Sequence, residues 1–413
     1  MHGIFRTFYP LRSFVIAVLA ILQFTIILDF MVLSPLGAIL MPTLHITPVQ
    51  FGWVVSAYAF SAGASGLLAA GFADNFDRKK LLLFFYTGFT LGTFLCSIAT
   101  DYHFLLFARI FTGLFGGVIG SICSAIITDL FALEVRGRVM GFVQMAFATS
   151  QVLGIPIGLY LANEFGWHSP FTMIVLFCIV IGILILVYLK PIDKHLGLNT
   201  EHNAFKHLGQ TLSQSNYLLA FATTTLLAMG GYMLMPFGSA FSVHNLKIPF
   251  DKLPMVYIVT GISSMIAGPL LGKYSDVIGK YRLFVMGSIL SMIMTGIYGN
   301  LGPTPIWIVI VINVFLFMGI TSRIISSSAL MTAIPKPQDR GAFMSINASV
   351  QQMAGGLAAA AAGFIVSETP SGYIEHYDRL SYVVIAGSML AIVMMYFVNQ
   401  MVQRKLATPA VPV

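Results

Sequence analysis

Charged residues are scarce in this chain of 413 residues, where they make up only 9% of the sequence. A soluble domain carries about 25% charged residues. Hydrophobic residues account for 57%, and the mean hydropathy is +0.88. No long hydrophilic segment is left over for a separate soluble domain. This balance argues against an ordinary soluble protein and predicts an integral membrane protein.

Cysteines and recognisable catalytic motifs are also few. Cys96, Cys123 and Cys178 are the only cysteines, and all three lie inside predicted helices, which suggests neither a disulfide framework nor a metal site. The sequence has no Gly-x4-Gly-Lys-Ser/Thr loop of the kind used by ATP-driven pumps, and no His-Glu-x-x-His motif. We therefore expect no enzyme activity, no metal and no other cofactor.

Long apolar runs dominate the rest of the chain. A transmembrane helix needs about 20 such residues, and twelve runs are long enough to qualify. The first follows Arg6 and Arg12 but lacks a small-residue cleavage site, so we expect a retained helix instead of a signal peptide. The runs lie at about 14–40, 51–73, 80–100, 103–130, 137–163, 170–190, 215–241, 253–273, 282–301, 305–332, 341–367 and 379–401.

Basic residues are distributed unevenly between the two sides of the predicted membrane. Of the 22 lysines and arginines, 17 fall in segments on the side of the N-terminus. Only Lys247, Lys252 and Arg379 fall on the other side, and Arg109 and Arg323 lie within helices. The positive-inside rule then predicts that both termini are cytoplasmic. Because the basic residues behind the net charge of +7 are distributed by membrane side, this charge does not indicate a nucleic-acid partner.

Two charged loops recur about half a chain length apart. Asp74 and Asp276, in the loops after the second and eighth runs, are 202 residues apart. Arg136 and Arg340, after the fourth and tenth runs, are 204 residues apart. Matching loops at nearly one offset indicate a duplicated unit, whose halves are related by an axis along the membrane normal.

These observations predict an all-α integral membrane protein. Twelve transmembrane helices would form two pseudo-symmetric six-helix bundles. We expect the first bundle at residues 1–190, a cytoplasmic linker at 191–214 and the second bundle at 215–413.

The loop after the second helix also carries a family motif. It is similar to G-x-L-A-D-R-x-G-R-R/K through Asp74, Arg78 and Lys79, while Asn75 and Asp77 differ from it. The second copy of this loop retains Gly272, Asp276, Gly279 and Lys280.

Two further helices extend the likeness. The fourth is similar to an R-x-x-Q-G pattern through Arg109, Thr112 and Gly113, with Thr in place of Gln. The fifth matches the spacing of an antiporter motif through Gly141, Ser150, Gly154 and Gly158. The chain thus resembles a major facilitator superfamily transporter of the twelve-helix drug:proton antiporter branch, over its whole length. This resemblance implies the two-bundle fold, alternating access and proton-coupled export.

Three ionisable residues lie within the apolar runs, and such residues mark functional sites by default because their burial is costly. Asp29 lies near the middle of the first helix, where a carboxyl balanced between burial and a nearby cation can exchange protons. Arg109 keeps its charge at any accessible pH, so it can bias Asp29 or a substrate anion without carrying the proton itself. Both are candidates for proton coupling. The alternative for Asp29 is a permanently paired structural charge, and the alternative for Arg109 is a side chain that extends to the outer interface.

Arg323 lies in the inner part of the tenth helix. We expect it to face the cavity between the two bundles and to contact an anionic substrate group. The alternative is an arginine that extends to the interface or pairs with a helix end. Other polar or aromatic helix residues are also candidates for the cavity lining: Gln151, Tyr232, Asn313, Asn347 and Gln352.

A second set of charges lies at the cytoplasmic ends of the helices. In the family that this chain resembles, such residues form an ion-pair lock that stabilises the outward-open state. The candidate gating residues are Asp74, Arg78, Asp129, Arg136, Asp276 and Arg340.

The sequence therefore predicts a secondary transporter in a bacterial inner membrane, a monomer whose partners are a small-molecule substrate, protons and the lipid bilayer. Proton-coupled export of small amphipathic or lipophilic compounds is the favoured activity. A carrier of sugars, lysolipids or other metabolites, including one that works in uptake, is the first alternative. An intramembrane enzyme or a sensor is a remote one, because no catalytic constellation and no appended signalling domain is present.

Overall fold

The computed structural model describes residues 10–69, 76–131, 139–140, 142–143, 145–147, 149–193, 209–336 and 339–407. In the first half of the chain the described residues form long helices joined by short turns. A π-helical turn at Ser150–Gly154 leads directly into the sixth of them. The helices are α1 (Pro10–Val32), α2 (Gly37–Leu44), α3 (Pro48–Ala69), α4 (Arg78–Ser97), α5 (Tyr102–Leu130), α6 (Ile155–Phe165) and α7 (Ser169–Tyr188).

The second half repeats this arrangement. Short irregular turns continue the first of its helices as far as Asn245. A two-stranded antiparallel hairpin, β1 (Ser367–Glu368) and β2 (Ile374–Glu375), precedes the last helix. The helices are α8 (Ser215–Leu234), α9 (Leu253–Ile278), α10 (Lys280–Gly299), α11 (Ile306–Ala333), α12 (Arg340–Ile365) and α13 (Tyr377–Ala407).

Eleven helical segments among the described residues are long and apolar enough to cross a membrane. The twelfth expected span corresponds to α12, which has the required length with 26 residues. It is less apolar because it carries Asn347, Gln351 and Gln352 beside a run of alanines. The all-α fold expected from the sequence is confirmed. The domain limits stay a prediction, because residues 194–208 lie outside the described part of the chain.

Short polar side chains fix where two of the helices begin. The Asp101 carboxylate accepts hydrogen bonds from the backbone N–H groups of His103 and Phe104, at 3.0 and 3.1 Å, and so caps α5. Asp77 caps α4 through the N–H of Lys80 and also accepts from the N–H of Ile192, which holds the segment after α7. Such caps satisfy the free N–H groups of a helix's first turn.

Small residues let helices within each bundle approach closely. A methyl group on Gly117 of α5 would overlap the backbone of Ala62 in α3, and one on Gly92 of α4 would lie 2.7 Å from the Cα atom of Thr112 in α5. In the second bundle, a methyl on Gly319 of α11 would lie 2.8 Å from the carbonyl oxygen of Gly287 in α10. Close backbone packing of this kind drives helix association in membranes.

The two bundles contact each other most extensively where α3 packs along α12. The Ser56 hydroxyl donates a 2.7 Å hydrogen bond to the carbonyl of Gly356, and a methyl on Gly52 would lie 2.8 Å from the carbonyl oxygen of Ala359. A second contact joins α9 to the π-helical turn before α6, where Gly261 packs against Val152. The first bundle therefore meets the second along α3 and at the π-helical turn before α6.

Candidate functional site

Asp29 and Arg109 form an ion pair in the interior of the first bundle. Asp29 is on α1, Arg109 is on α5, and the Nη1 and Oδ2 atoms are 2.8 Å apart. Both side chains are fully buried. Neither charge reaches water in this arrangement, so each depends on the other for its neutralisation. The two residues that the sequence singles out for proton coupling are thus in direct contact, although their role in coupling stays a prediction.

Hydrogen bonds and a ring complete the surroundings of the pair. The Thr93 hydroxyl of α4 donates to Asp29 Oδ1 at 3.1 Å. The Arg109 guanidinium carbon lies 4.6 Å from the centre of the Tyr58 ring of α3, which is a cation–π geometry. Four helices, α1, α3, α4 and α5, therefore meet at this pair, and a change in its charge acts on all four.

The Arg109 guanidinium has spare hydrogen-bonding capacity. Its Nε and Nη2 atoms are buried and have no hydrogen-bond partner among the described residues. An arginine offers five N–H donors in a fixed fork, and here Nη1 bonds Asp29. Leaving buried donors unsatisfied is costly. The ion pair with Asp29 therefore leaves part of the hydrogen-bonding capacity of Arg109 unused.

Glycines on α5 hold Tyr58 against Arg109. A methyl group on Gly116 would lie 2.7 Å from the Tyr58 hydroxyl oxygen, and one on Gly113 would overlap the Tyr58 backbone. A larger residue at Gly113 would displace the backbone of α3, and one at Gly116 would push the Tyr58 side chain. The small residues of this helix therefore position the aromatic face as well as packing the bundle.

A chain of aromatic rings leads from this site into the second bundle. The Phe30 ring, next to Asp29 in sequence, lies 5.3 Å from the Tyr58 ring and 5.8 Å from the Tyr232 ring of α8. Tyr232 packs in turn on Gly355 of α12, where a methyl would lie 3.0 Å from the ring. The rings give the bundle interface an apolar, aromatic surface next to the buried ion pair.

The remaining residues predicted to line the cavity are dispersed. Asn347 on α12 accepts a 2.6 Å hydrogen bond from the Thr224 hydroxyl on α8. Asn313 donates to the backbone carbonyl of Val309 within α11. Gln151 and Gln352 are half-buried on the π-helical turn before α6 and on α12. The structure does not gather these side chains into one cluster, and their contact with a substrate stays a prediction.

Arg323 differs from its expected placement between the bundles. Its guanidinium lies inside the second bundle, where Nη1 donates to the Ser291 hydroxyl of α10 at 3.4 Å. A methyl group on Gly230 of α8 would lie 3.6 Å from Nη2 and 3.6 Å from the Ser388 hydroxyl oxygen of α13. The physical reason is that the serines of α10 and α13 offer hydroxyl groups at this depth, away from both lipid and the bundle interface.

A second ion pair joins the N-terminal end of α4 to the C-terminal end of α5. Arg78 Nε and Asp129 Oδ2 are 3.1 Å apart, and the two side chains are 6% and 24% exposed. This pair lies within one bundle, so on its own it fixes two helix ends and does not bridge the halves. Asp74 and Arg136, which the predicted lock also needs, lie outside the described residues.

The counterpart charges in the second half are known only by backbone position. Asp276 lies in the last turn of α9 and Arg340 is the first residue of α12. Near them, the Tyr217 hydroxyl donates a 2.9 Å hydrogen bond to Asp339 and accepts one from the N–H of Lys336. This contact joins the start of α8 to the turn before α12, and the sequence gives no signal for it.

Sequence reasoning also missed Tyr58 and Thr93. Both lie in apolar helices and neither belongs to a recognisable motif. Their importance comes from contacts across helices, which periodicity along one helix does not reveal. Among the described residues, no group of three or more His, Cys, Asp or Glu side chains is arranged to hold a metal ion.

Comparisons with known proteins agree on the family. The sequence profile of the Major Facilitator Superfamily matches residues 19–359 and 220–412. The chain is 27% identical over 271 residues to the uncharacterized MFS-type transporter YceJ of Bacillus subtilis (strain 168), covering 65% of this chain and 68% of that protein. It is 26% identical over 306 residues to Multidrug resistance protein 2 of the same organism, covering 71% and 74%.

Solved structures show the same fold at low sequence identity. A bacterial homologue of the human lysosomal transporter Spinster, in an inward-facing and unoccupied conformation, aligns with a TM-score of 0.76 at 15% identity, covering 98% of this chain and 100% of that one. A D-xylose-proton symporter aligns with a TM-score of 0.74 at 15% identity, covering 93% and 97%.

Proposed function

We propose that this chain exports small amphipathic or lipophilic compounds in exchange for protons. The chain belongs to the Major Facilitator Superfamily and is a multi-pass membrane transporter. The observation that carries the proposal is the fully buried Asp29–Arg109 pair beside an aromatic bundle interface. The membrane would be a bacterial inner membrane with both termini in the cytoplasm, as the basic residues predict, and the transporter would act as a monomer.

Asp29 is the proposed proton carrier. Arginine keeps its proton at any accessible pH, so only the carboxylate of the pair can change its charge. Protonation of Asp29 removes the attraction that holds the guanidinium of Arg109 at 2.8 Å. The freed guanidinium would then seek other acceptors, because two of its nitrogens already lack partners.

Tyr58 and Phe30 are the proposed link from this event to the second bundle. A guanidinium that moves away from Asp29 also changes its contact with the Tyr58 ring, which packs on Phe30. Phe30 in turn contacts Tyr232 on α8. Because packed side chains switch between discrete arrangements, this contact would bias the rocking of the two bundles by which such transporters alternate access.

The substrate class rests on the chemistry of the bundle interface. Rings such as Phe30, Tyr58 and Tyr232 favour apolar or amphipathic molecules, and their negative faces also attract organic cations. A relative described as Multidrug resistance protein 2 is consistent with this class. A relative described as a probable sugar efflux transporter, 22% identical over 251 residues, keeps a sugar carrier as the second candidate.

Transport by purified protein in liposomes distinguishes the candidates. We would impose an acidic lumen and follow three probes: ethidium as an amphipathic cation, lysophosphatidylcholine as a lysolipid, and xylose as a sugar. Accumulation of ethidium that depends on the pH gradient supports the proposal. Accumulation of xylose or of the lysolipid without ethidium would replace it with the corresponding alternative.

A further inference from the structure

The two bundles are in contact just beyond the C-terminal end of α1. The Ser239 hydroxyl, in the irregular turns after α8, donates a 3.2 Å hydrogen bond to the backbone carbonyl of Ser34. The Phe51 ring of α3 and the Phe237 ring after α8 lie 6.0 Å apart in an edge-to-face arrangement. The two halves of the chain are therefore joined at this end of the helix.

One face of α1 runs from this contact towards the N-terminus of the helix. The Phe30 ring on this face lies 5.8 Å from the Tyr232 ring of α8, so the face is turned towards the second bundle. Residues spaced by three or four lie on one side of an α-helix. The half-buried residues at this spacing are Ile16, Ala20, Gln23, Ile27 and Phe30. Because none of them is fully covered, this face borders the space between the bundles on the N-terminal side of Phe30.

Gln23 is the one polar member of this face. Its Oε1 atom is buried and has no hydrogen-bond partner in the described part of the chain. A methyl group on Gly120 of α5 would lie 3.8 Å from Gln23 Nε2 and would meet nothing else within 4 Å among the described residues outside its own helix. Buried amide oxygens are normally hydrogen-bonded, and leaving one unpaired is costly. The Gln23 amide therefore has unused hydrogen-bonding capacity beside a glycine, where α5 presents no side chain.

The position of Gln23 suits a compound that also contacts the aromatic rings. Phe30 is seven residues further along the same face. Because an α-helix rises about 1.5 Å per residue, the amide and the ring are about 10 Å apart along the helix axis, roughly the length of a fused three-ring compound. Asp29 points away from this face to pair with Arg109. A compound bound along the face would therefore lie beside the proposed proton carrier without displacing its partner.

We propose that Gln23 determines which polar groups the transported compound carries. Its Oε1 atom would accept a hydrogen bond from an amino or hydroxyl group of the compound, while the apolar body of the compound packs on Phe30. An analogue without such a donor would leave the buried oxygen unpaired and would bind more weakly. This inference rests on the proposed function, and it narrows the substrates to amphipathic compounds that carry a hydrogen-bond donor.

The test compares two ligands that differ in donor groups alone. Equilibrium binding of ethidium, and of an analogue whose amino groups are fully N-methylated, would be measured on the full chain in phosphatidylcholine nanodiscs, with empty nanodiscs as the background. The wild type should bind ethidium at least about fivefold more tightly than the analogue, since only ethidium satisfies the amide oxygen.

Variants of Gln23 separate the hydrogen bond from the extra bulk of the methyl groups. Gln23→Met keeps an unbranched side chain of similar length but removes the strong acceptor. It should bring the two affinities within about twofold of each other, chiefly by weakening ethidium, because the unmatched acceptor is gone. Gln23→Glu keeps an acceptor oxygen and attracts both cations alike, so it should keep the preference. Gln403→Met, at an exposed glutamine near the end of α13, is the matched control and should bind both ligands as the wild type does.

The outcomes distinguish this inference from the proposed function. Saturable ethidium binding with no preference in the wild type, a preference that survives Gln23→Met, or an equal loss of preference in Gln403→Met would each overturn the role of Gln23. Each of these results would leave the proposed substrate class standing. No saturable ethidium binding above background would contradict that class and overturn the role of Gln23 with it.

Discussion

Neutralising either member of the buried pair is expected to have unequal consequences. Asp29→Asn leaves the Arg109 guanidinium fully buried without an opposite charge, and arginine cannot give up its proton. Arg109→Gln leaves a buried carboxylate, which can become neutral by taking up a proton. We therefore expect Asp29→Asn to be the more destabilising of the two changes.

The expected loss of unfolding free energy follows from the burial of the ion pair. Breaking a buried ion pair by removing one partner costs about 3–5 kcal/mol, whereas replacing both partners with neutral groups is often close to neutral. The asparagine oxygen can still accept from Arg109, so we expect about 3 kcal/mol for Asp29→Asn. The double variant Asp29→Asn, Arg109→Gln should lose less than about 1 kcal/mol, because no buried charge remains.

Equilibrium unfolding in mixed micelles with increasing SDS would measure all four proteins of this double-mutant cycle. Gel filtration beforehand would show that each variant is folded and monodisperse. A double variant as unstable as the sum of the two single variants would mean that the residues do not interact. That result would refute the assignment of Asp29 and Arg109 as mutually dependent charges.

Two further predictions concern helix packing and the ion pair between Arg78 and Asp129. Gly117→Ala forces a methyl group into the backbone of Ala62 and should cost about 1–3 kcal/mol in the same unfolding assay. The control variant Gly231→Ala, whose methyl group meets no neighbour, should be within about 0.5 kcal/mol of the wild type. Equal effects of the two changes would contradict close packing at Gly117. Arg78→Gln removes a partly exposed pair with Asp129 and should cost only about 1 kcal/mol; a loss above about 3 kcal/mol would show that this pair does more than join two helix ends.

The fold is largely predictable from the sequence because few physical constraints decide it. A membrane span must satisfy its backbone hydrogen bonds internally, so each long apolar run becomes a helix. Helix α12 illustrates the limit, since its polar residues make it less apolar than the other spans. Its place in the repeat, with Arg340 matching Arg136, still identifies it.

The candidate site is only partly predictable. Asp29 and Arg109 stand out because ionisable residues are rare in apolar helices, and the structure brings them into contact. Tyr58 and Thr93 give no such signal, because a tyrosine or a threonine is ordinary in a membrane helix. Arg323 shows a different limit. Its charge makes it stand out in the sequence, but the direction in which its side chain points depends on the Ser291 hydroxyl of another helix, whose position the sequence alone does not give.

The most direct test of the account separates coupling from movement of the substrate in Asp29→Asn. Liposomes with wild-type protein and with the variant would be assayed for ethidium accumulation under an imposed pH gradient, and for exchange of ethidium between equal pH values. We predict that the variant keeps exchange and loses accumulation driven by the gradient. Accumulation at the wild-type level in Asp29→Asn would contradict the claim that this carboxyl carries the coupled proton.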